Sequence, residues 1–159
     1  MRITIIAVGK IREQYLTQGI EEYLKRLRRY AAVQMIEVAE EQAPETLSAA
    51  EQALVRARES DRLRKHLKDH QYVIALALDG TPFTSEAFAA HCQSLALSGR
   101  SDLALLIGGS LGLDEAALAR ADLVLSFGKF TFPHQLMRLI LAEQLYRACK
   151  IMKGEPYHK

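Results

Sequence analysis

Two hydrophobic patterns alternate along the chain. Short, near-continuous apolar runs are typical of strands buried on both faces, and they cover residues 3–8, 33–38, 72–78, 103–107 and 123–126. Longer segments between them carry apolar residues at helical spacing, and they cover about 13–29, 46–68, 85–97, 114–120 and 133–152. Strands that alternate with helices predict an α/β fold, with a largely parallel sheet flanked by helices. We expect one domain over residues 1–159.

Local sequence signals mark the ends of several elements. Asp79-Gly80-Thr81-Pro82 has the composition of a turn after the third strand. Ser85 is expected to cap the third helix, and Pro133 fits the first position of the last helix. Parallel sheets bind ligands at the carboxyl ends of their strands. The loops expected to form a site are therefore residues 78–82, 108–112 and 127–132.

The last predicted helix is apolar around most of its circumference. Its apolar positions are Leu136, Met137, Leu139, Ile140, Leu141, Leu145, Tyr146, Ala148, Ile151 and Met152. A helix of this kind is buried on nearly all sides. In a domain of this size a second chain is a plausible cover, so we predict a homodimer through this helix. A central helix in a monomer is the alternative.

Charge indicates a local rather than a global nucleic-acid site. The formal net charge of the 159 residues is only +2, whereas nucleic-acid-binding domains are often strongly basic. Two helices carry basic clusters that either form solvated faces or contact phosphate. The clusters are Lys25, Arg26, Arg28 and Arg29, and Arg56, Arg58, Arg62, Arg64, Lys65 and Lys68.

Composition also bears on location and on metal binding. No segment approaches the roughly 18 apolar residues that a membrane helix needs. Cys92 and Cys149 lack metal-ligand spacing and lie in apolar helical patterns, so we expect buried thiols in a reducing cytoplasm. We expect neither a metal site nor a Ser-His-Asp or Cys-His arrangement.

Two glycine-containing segments, 107–112 and 128–130, do not match two familiar nucleotide sites. The glycines of 107–112 either let a ligand approach the backbone or simply make a tight strand-to-helix turn. A dinucleotide fingerprint would need glycine where Ile107 stands. Gly128-Lys129 resembles part of a P-loop, but Phe130 replaces the required Ser or Thr. NAD binding and ATP hydrolysis are therefore disfavoured.

Aromatic residues cluster in the loop before the last helix. Phe127, Phe130 and Phe132 surround a Gly-Lys pair. The loop either wraps a flat, partly apolar ligand such as adenine, or is tucked under the core by its rings. His134 follows, and we favour a structural role for it over a catalytic one.

Several segments together resemble one known family. They are IIAVGK at 5–10, LDG at 78–80, LIGGSLGL at 106–113, LSFGKFTFPHQ at 125–135, EQLYRA at 143–148 and PYHK at 156–159. The chain resembles, from end to end, the RlmH family of ribosomal RNA pseudouridine N3-methyltransferases in the SPOUT superfamily. One departure is Gly128, where many relatives have Ser.

The resemblance implies a fold, a cofactor and partners. Family members have a C-terminal trefoil knot and are homodimers that pack through the last helix. They use S-adenosyl-L-methionine to methylate a pseudouridine in 23S ribosomal RNA, which we expect to be presented by the assembled ribosome. The residues implied to hold the cofactor are Leu76, Gly108, Phe127, Gly128, Lys129, Phe130, Thr131 and Phe132.

The C-terminal tail supplies candidates for the remaining chemistry. N3 of pseudouridine is a weak acid that must lose its proton, so a base or a stabilising cation is needed. Tyr157 and His158 are the catalytic candidates, and Arg138, Arg147 and Lys159 are the candidates for RNA contact. The alternative function is a non-catalytic, ribosome-associated RNA-binding protein.

Overall fold

A computed structural model describes residues 1–159, and its helices and strands alternate along the chain. The strands are β1 (Arg2–Val8), β2 (Ala32–Val38), β3 (Tyr72–Pro82), β4 (Asp102–Ile107) and β5 (Leu123–Ser126). The helices are α1 (Gln14–Leu27), α2 (Ala49–Arg64), α3 (Ser85–Leu97), α4 (Glu115–Arg120) and α5 (His134–Met152).

The five strands form one parallel sheet in the order β2-β1-β4-β3-β5. All five carboxyl ends therefore lie at the same edge. Alternate strand residues point to opposite faces, and each face carries its own apolar core. Helices α1, α3 and α5 cover one face, and α2 and α4 cover the other. The predicted parallel sheet flanked by helices is confirmed, whereas the trefoil knot stays a prediction.

Side-chain caps begin three of the helices. Ser48, Thr84 and Asp114 each accept a hydrogen bond from the backbone N–H three residues later. Such caps satisfy N–H groups that the first helical turn leaves without a partner. The prediction that Ser85 caps α3 is wrong by one residue, because the Ser85 hydroxyl donates to Oε1 of Gln144 at 2.7 Å instead.

The prediction of a turn at residues 79–82 is wrong. Strand β3 continues to Pro82 through a bulge, in which both Leu76 and Thr81 are aligned with Leu125 of β5. Gly80 is required by close backbone approach, since a Cβ there would lie 2.7 Å from the carbonyl carbon of Leu125. The bulge directs the intervening residues away from the ladder, at the edge where the sheet ends.

Arg138 is a buried structural residue, which corrects its assignment to RNA contact. Its side chain has no exposed surface in the chain. The guanidinium donates to Oε1 of Glu37 at 2.9 Å and to the carbonyl oxygen of Val8. Arg138 therefore ties α5 to the carboxyl ends of β1 and β2, and burial lowers the pKa of its guanidinium.

Helix α5 lies between α1 and α3 on one face of the sheet. It packs closely on α1, because a Cβ at Gly19 would lie 3.0 Å from a methyl carbon of Leu139. These contacts account for part of the apolar circumference of α5 within one chain. Leu136 and Ile140 stay half-buried, and the homodimer stays a prediction.

Both cysteines are buried in the main apolar core, as expected: Cys92 lies on α3 and Cys149 lies on α5. Burial raises the pKa of Cys92 to about 12 and that of Cys149 to about 11, so both thiols stay protonated and unreactive at neutral pH. None of the helices combines the length and the apolar character needed to cross a bilayer.

Replacing the buried arginine tests its structural role. We expect Arg138→Met to lower the free energy of unfolding by about 3 kcal/mol, because it leaves Glu37 and a backbone carbonyl without their partner. Urea denaturation measures the change. Arg26→Met, which breaks the exposed pair with Glu22, is the control and should lower the free energy of unfolding far less. Equal losses for the two variants would contradict the role assigned to Arg138.

Candidate active site

A cavity of about 1050 Å³ opens at the carboxyl ends of β3, β4 and β5. Segments 76–79, 107–116 and 124–134 supply most of its lining, and α2 contributes Ala53 and Arg56. Most of the lining residues are apolar. A cavity of this size suits a small molecule or cofactor that offers apolar surface and a few polar groups.

The glycine turn after β4 forms one wall of the cavity. Gly108 leaves no room for a side chain, since a Cβ would lie 2.6 Å from the carbonyl carbon of Gly112. The N–H of Gly112 donates to the carbonyl oxygen of Gly109 at 3.0 Å and closes the turn. The N–H of Gly109 faces the carbonyl oxygen of Gly112 in the same bridge, whereas the N–H groups of Gly108, Ser110 and Leu111 donate no hydrogen bond within the chain. They are available to a ligand that enters the cavity.

Ser126 joins the β3 bulge to the aromatic loop. Its hydroxyl lies 3.0 Å from the carbonyl oxygen of Leu78 and 3.1 Å from the N–H of Gly128, which donates to it. Ser126 itself is buried. Gly128 has a φ of +108°, a conformation that a side chain would strain. Glycine at position 128 suits this backbone conformation.

The aromatic loop divides between core and cavity. Phe127 packs against the main apolar core and also lines the cavity. Phe130 is 82% exposed at the cavity wall, and Phe132 is half-buried there. Both interpretations of the loop therefore hold in part: one ring anchors it, and another is free to contact a ligand.

The structure brings seven of the eight predicted cofactor residues to this cavity. Those that line it are Leu76, Gly108, Phe127, Gly128, Phe130, Thr131 and Phe132. Lys129 is exposed and is not among the lining residues. Their role in binding a cofactor stays a prediction.

His134 also lines the cavity, at the start of α5. Its Nε2 atom is buried and has no hydrogen-bond partner. Burial, together with the nearby charge of Arg138, lowers the pKa of the imidazole, while Glu40 opposes that shift. His134 is therefore a neutral ring at neutral pH.

The predicted tail residues form a separate cluster around Glu143 on α5. The hydroxyl of Tyr157 donates to Oε1 of Glu143 at 3.0 Å, and Arg147 forms an ion pair with the same carboxylate. The imidazole of His158 lies between Arg147 and Glu86, at 3.2 Å and 2.7 Å. Burial is the main cause that raises the pKa of Tyr157.

None of Tyr157, His158 and Lys159 lines the cavity of the same chain. The cluster and the cavity are thus two separate regions of the chain. Sequence analysis did not single out Ser126, or the buried Glu59 on α2. Ser126 lies in the family-like segment 125–135 and Glu59 lies in none of the quoted segments, and only the fold shows the contacts of either residue. No group of three or more His, Cys, Asp or Glu side chains is arranged to hold a metal ion.

Comparison with known proteins identifies the class. The family model described as "Predicted SPOUT methyltransferase" matches residues 1–158. A crystal structure of a Neisseria gonorrhoeae protein assigned to a methylase family covers 91% of this chain and 81% of its own, with a TM-score of 0.50 and 12% identity. That likeness concerns the fold alone. The chain is a methyltransferase of the SPOUT family.

Closer relatives narrow this class. Proteins from Alkaliphilus oremlandii and Bifidobacterium adolescentis are each 55% identical over 159 residues, and one from Enterococcus faecalis is 51% identical, with all of both chains covered. Each carries the name Ribosomal RNA large subunit methyltransferase H. The chain belongs to this RlmH family, which confirms the resemblance found in its sequence.

The buried environment of His134 predicts a lowered pKa for its imidazole. We expect its imidazole to titrate below the ordinary value of 6.5, because burial and Arg138 disfavour its charged form. As the pH falls, the unfolded chain takes up this proton before the folded protein does. The neutral imidazole of His134 therefore contributes to the free energy of unfolding above pH 6.5, and this contribution is lost as the pH falls through the folded pKa. NMR titration, with His134→Asn to assign the signal, measures the pKa.

The Glu40→Gln variant is the matched test of that environment. Removing the carboxylate should lower the pKa of His134 further, since Glu40 favours the protonated ring. A midpoint at or above 6.5 in the parent protein, or an upward shift in the variant, would be inconsistent with the buried, neutral imidazole.

Proposed function

We propose that this chain uses S-adenosyl-L-methionine to methylate N3 of a pseudouridine in 23S ribosomal RNA. The observation that carries the proposal is the cavity at the carboxyl ends of β3, β4 and β5, which is lined by backbone loops with unpaired N–H groups. The name shared by the close relatives supports ribosomal RNA as the acceptor.

The lining of the cavity fits an adenosyl group. Unpaired N–H groups after Gly108 suit the ring nitrogens and oxygens of a nucleoside, and Leu76 and the aromatic loop offer apolar surface to a flat base. We assign Leu76, Gly108 and residues 127–132 as the binding segments, with Lys129 contributing through its backbone. The bound cofactor supplies an electrophilic methyl group on a sulfonium centre. We further propose that the C-terminal part of this single domain is threaded as a trefoil knot.

The acceptor nitrogen needs help to lose its proton, and the tail carries the groups that suit this step. N3–H of pseudouridine belongs to an imide, and a positioned base or cation stabilises the anion left by its proton. Tyr157 and His158 have titratable groups that are already held in place by Glu143, Arg147 and Glu86. We propose that they act at the acceptor base.

The distance of the tail from its own cavity favours action between protomers. None of the tail residues lines the cavity of the same chain, so we propose a homodimer through α5 in which each tail serves the partner's cavity. In this arrangement Arg147 and Lys159 contact RNA, and Arg138 remains internal. The modest net charge of +2 favours the assembled ribosome in the cytoplasm as substrate, because its shape supplies affinity that charge alone would not.

Binding and transfer together test the proposed activity. We expect S-adenosyl-L-methionine to bind in calorimetry, and labelled methyl to appear on ribosomes as N3-methylpseudouridine identified by mass spectrometry. Gly108→Ala should weaken cofactor binding by about 100-fold or more, because the added Cβ meets the backbone of Gly112.

Gly99→Ala is the control for glycine replacement as such. Gly99 also has a positive φ, of +78°, but open space surrounds its Cβ position. The Gly99→Ala variant should lose some stability and keep the cofactor affinity of the parent protein. No heat of binding in the parent protein would favour the alternative, a non-catalytic RNA-binding protein. Equal methylation of naked RNA and intact ribosomes would contradict the ribosome as the preferred substrate.

Mixed dimers test whether the tail acts on the partner. We expect His158→Ala to reduce kcat at least about tenfold with cofactor affinity unchanged, because in this proposal the residue acts on the acceptor base and not on the cofactor. Mixing Gly108→Ala and His158→Ala subunits should then restore part of the activity, since each mixed dimer keeps one intact cavity served by one intact tail. Restoration to no more than the sum of the separate variants would show that each tail serves its own chain.

A further inference from the structure

The carboxyl group of Glu59 is buried behind the cavity and is only half satisfied. Glu59 lies on α2 and is 5% exposed. Its Oε1 atom accepts the backbone N–H of Glu41 at 2.9 Å, but its Oε2 atom has no hydrogen-bond partner. A buried carboxylate oxygen without a donor is costly and is rare in native structures.

The nearby charges relieve this carboxyl group only in part. The charge of Arg62 lowers the pKa of Glu59. The Arg62 guanidinium itself donates to Oε2 of Glu41 and to the carbonyl oxygen of Ala39. Glu40 and Glu41 are themselves acidic, and burial is the main cause that raises the pKa of Glu59. The ionised form is therefore disfavoured in the structure as it stands.

The unpaired oxygen faces the glycine turn of the candidate active site. A Cβ built on Gly109 would lie 2.6 Å from Oε2 of Glu59, so the carboxyl group lies against the Gly109 backbone with no side chain between them. The same turn holds the unpaired N–H groups of Gly108, Ser110 and Leu111. An acceptor without a donor thus adjoins a turn in which three donors have no acceptor.

We propose that Glu59 is a positioning residue for the methyl-donor site: its Oε2 atom accepts an N–H of the turn 109–111 when the donor occupies the cavity. This proposal rests on the proposed function. Glu59 does not line the cavity and so acts through the turn, not on the donor. Glycine at 109 and at 112, where φ is +81°, lets the peptide units between them rotate.

The proposal explains why the free protein keeps a buried carboxyl oxygen without a hydrogen-bond partner. A hydrogen bond to a charged acceptor is stronger than one between neutral groups. If it forms only in the donor-bound state, its free energy contributes to donor affinity rather than to the stability of the free protein. The cost of an unsatisfied carboxyl group is then carried by the free protein, as is common where function and stability compete.

Glu59→Gln tests this role with little change of shape. The amide oxygen can keep the bond from the Glu41 N–H, while the NH₂ group faces the turn and cannot accept. We expect affinity for S-adenosyl-L-methionine in calorimetry to fall about tenfold or more. The Tm at neutral pH should stay the same or rise. The folded structure raises the pKa of Glu59, so this carboxyl group favours folding below its ordinary pKa of 4.5 and opposes folding above it.

Asp61→Asn is the matched control. It also neutralises an acid on α2, but Asp61 is exposed and paired with Lys65. Its affinity for S-adenosyl-L-methionine should equal that of the parent. Hydrogen exchange on the parent protein gives a second readout: saturating S-adenosyl-L-methionine should protect at least one amide of Gly109–Leu111, and Glu59→Gln should lose that protection.

The outcomes separate this proposal from the proposed function. A parent that binds S-adenosyl-L-methionine while Glu59→Gln binds it equally well overturns only the role of Glu59. A variant with a lowered Tm and unchanged exchange in the turn would show that Glu59 merely supports the fold. A parent that binds no S-adenosyl-L-methionine overturns both. If the variant fails to fold, unprotected turn amides in the saturated parent still refute the proposal.

Discussion

Direct contact between backbones at the carboxyl edge of the sheet is the constraint on which the rest depends. Gly80 meets the backbone of Leu125, and Gly108 meets that of Gly112, at distances that leave no room for a Cβ. These contacts bring the β3 bulge and the turn after β4 to the same edge as the loop after β5. Main chain therefore forms part of the cavity wall, where it presents N–H groups in fixed directions at little entropic cost.

The atoms left unsatisfied lie mostly around this edge. Oε2 of Glu59 and Nε2 of His134 are buried without partners, as is Nε of Arg138, and three N–H groups of the glycine turn are also free. The buried hydroxyl of Ser126, at the same edge, is by contrast paired and joins two loops. A site that keeps unpaired donors and acceptors for a ligand lowers the stability of the free protein, and the buried core below the sheet offsets that cost.

Periodicity and local composition predicted the sheet, its helices and the site loops 108–112 and 127–132, because strand alternation and the carboxyl-end rule depend on pattern alone. The bulge in β3 could not be predicted, since Asp-Gly-Thr-Pro is locally a turn and only pairing with β5 extends the strand. The burial of Arg138 was missed because its partner Glu37 lies 101 residues earlier. The individual cofactor residues came from the family resemblance, and Glu59 became visible only through its contact with Gly109.

The central claim is that these three backbone segments together hold the methyl donor. A crystal structure of the protein grown with S-adenosyl-L-methionine tests it most directly. The account predicts density for the adenosyl group between segments 76–79, 108–112 and 127–132, in contact with main-chain atoms of each. Density for the cofactor at any other place, with this cavity open and occupied by solvent alone, would contradict it.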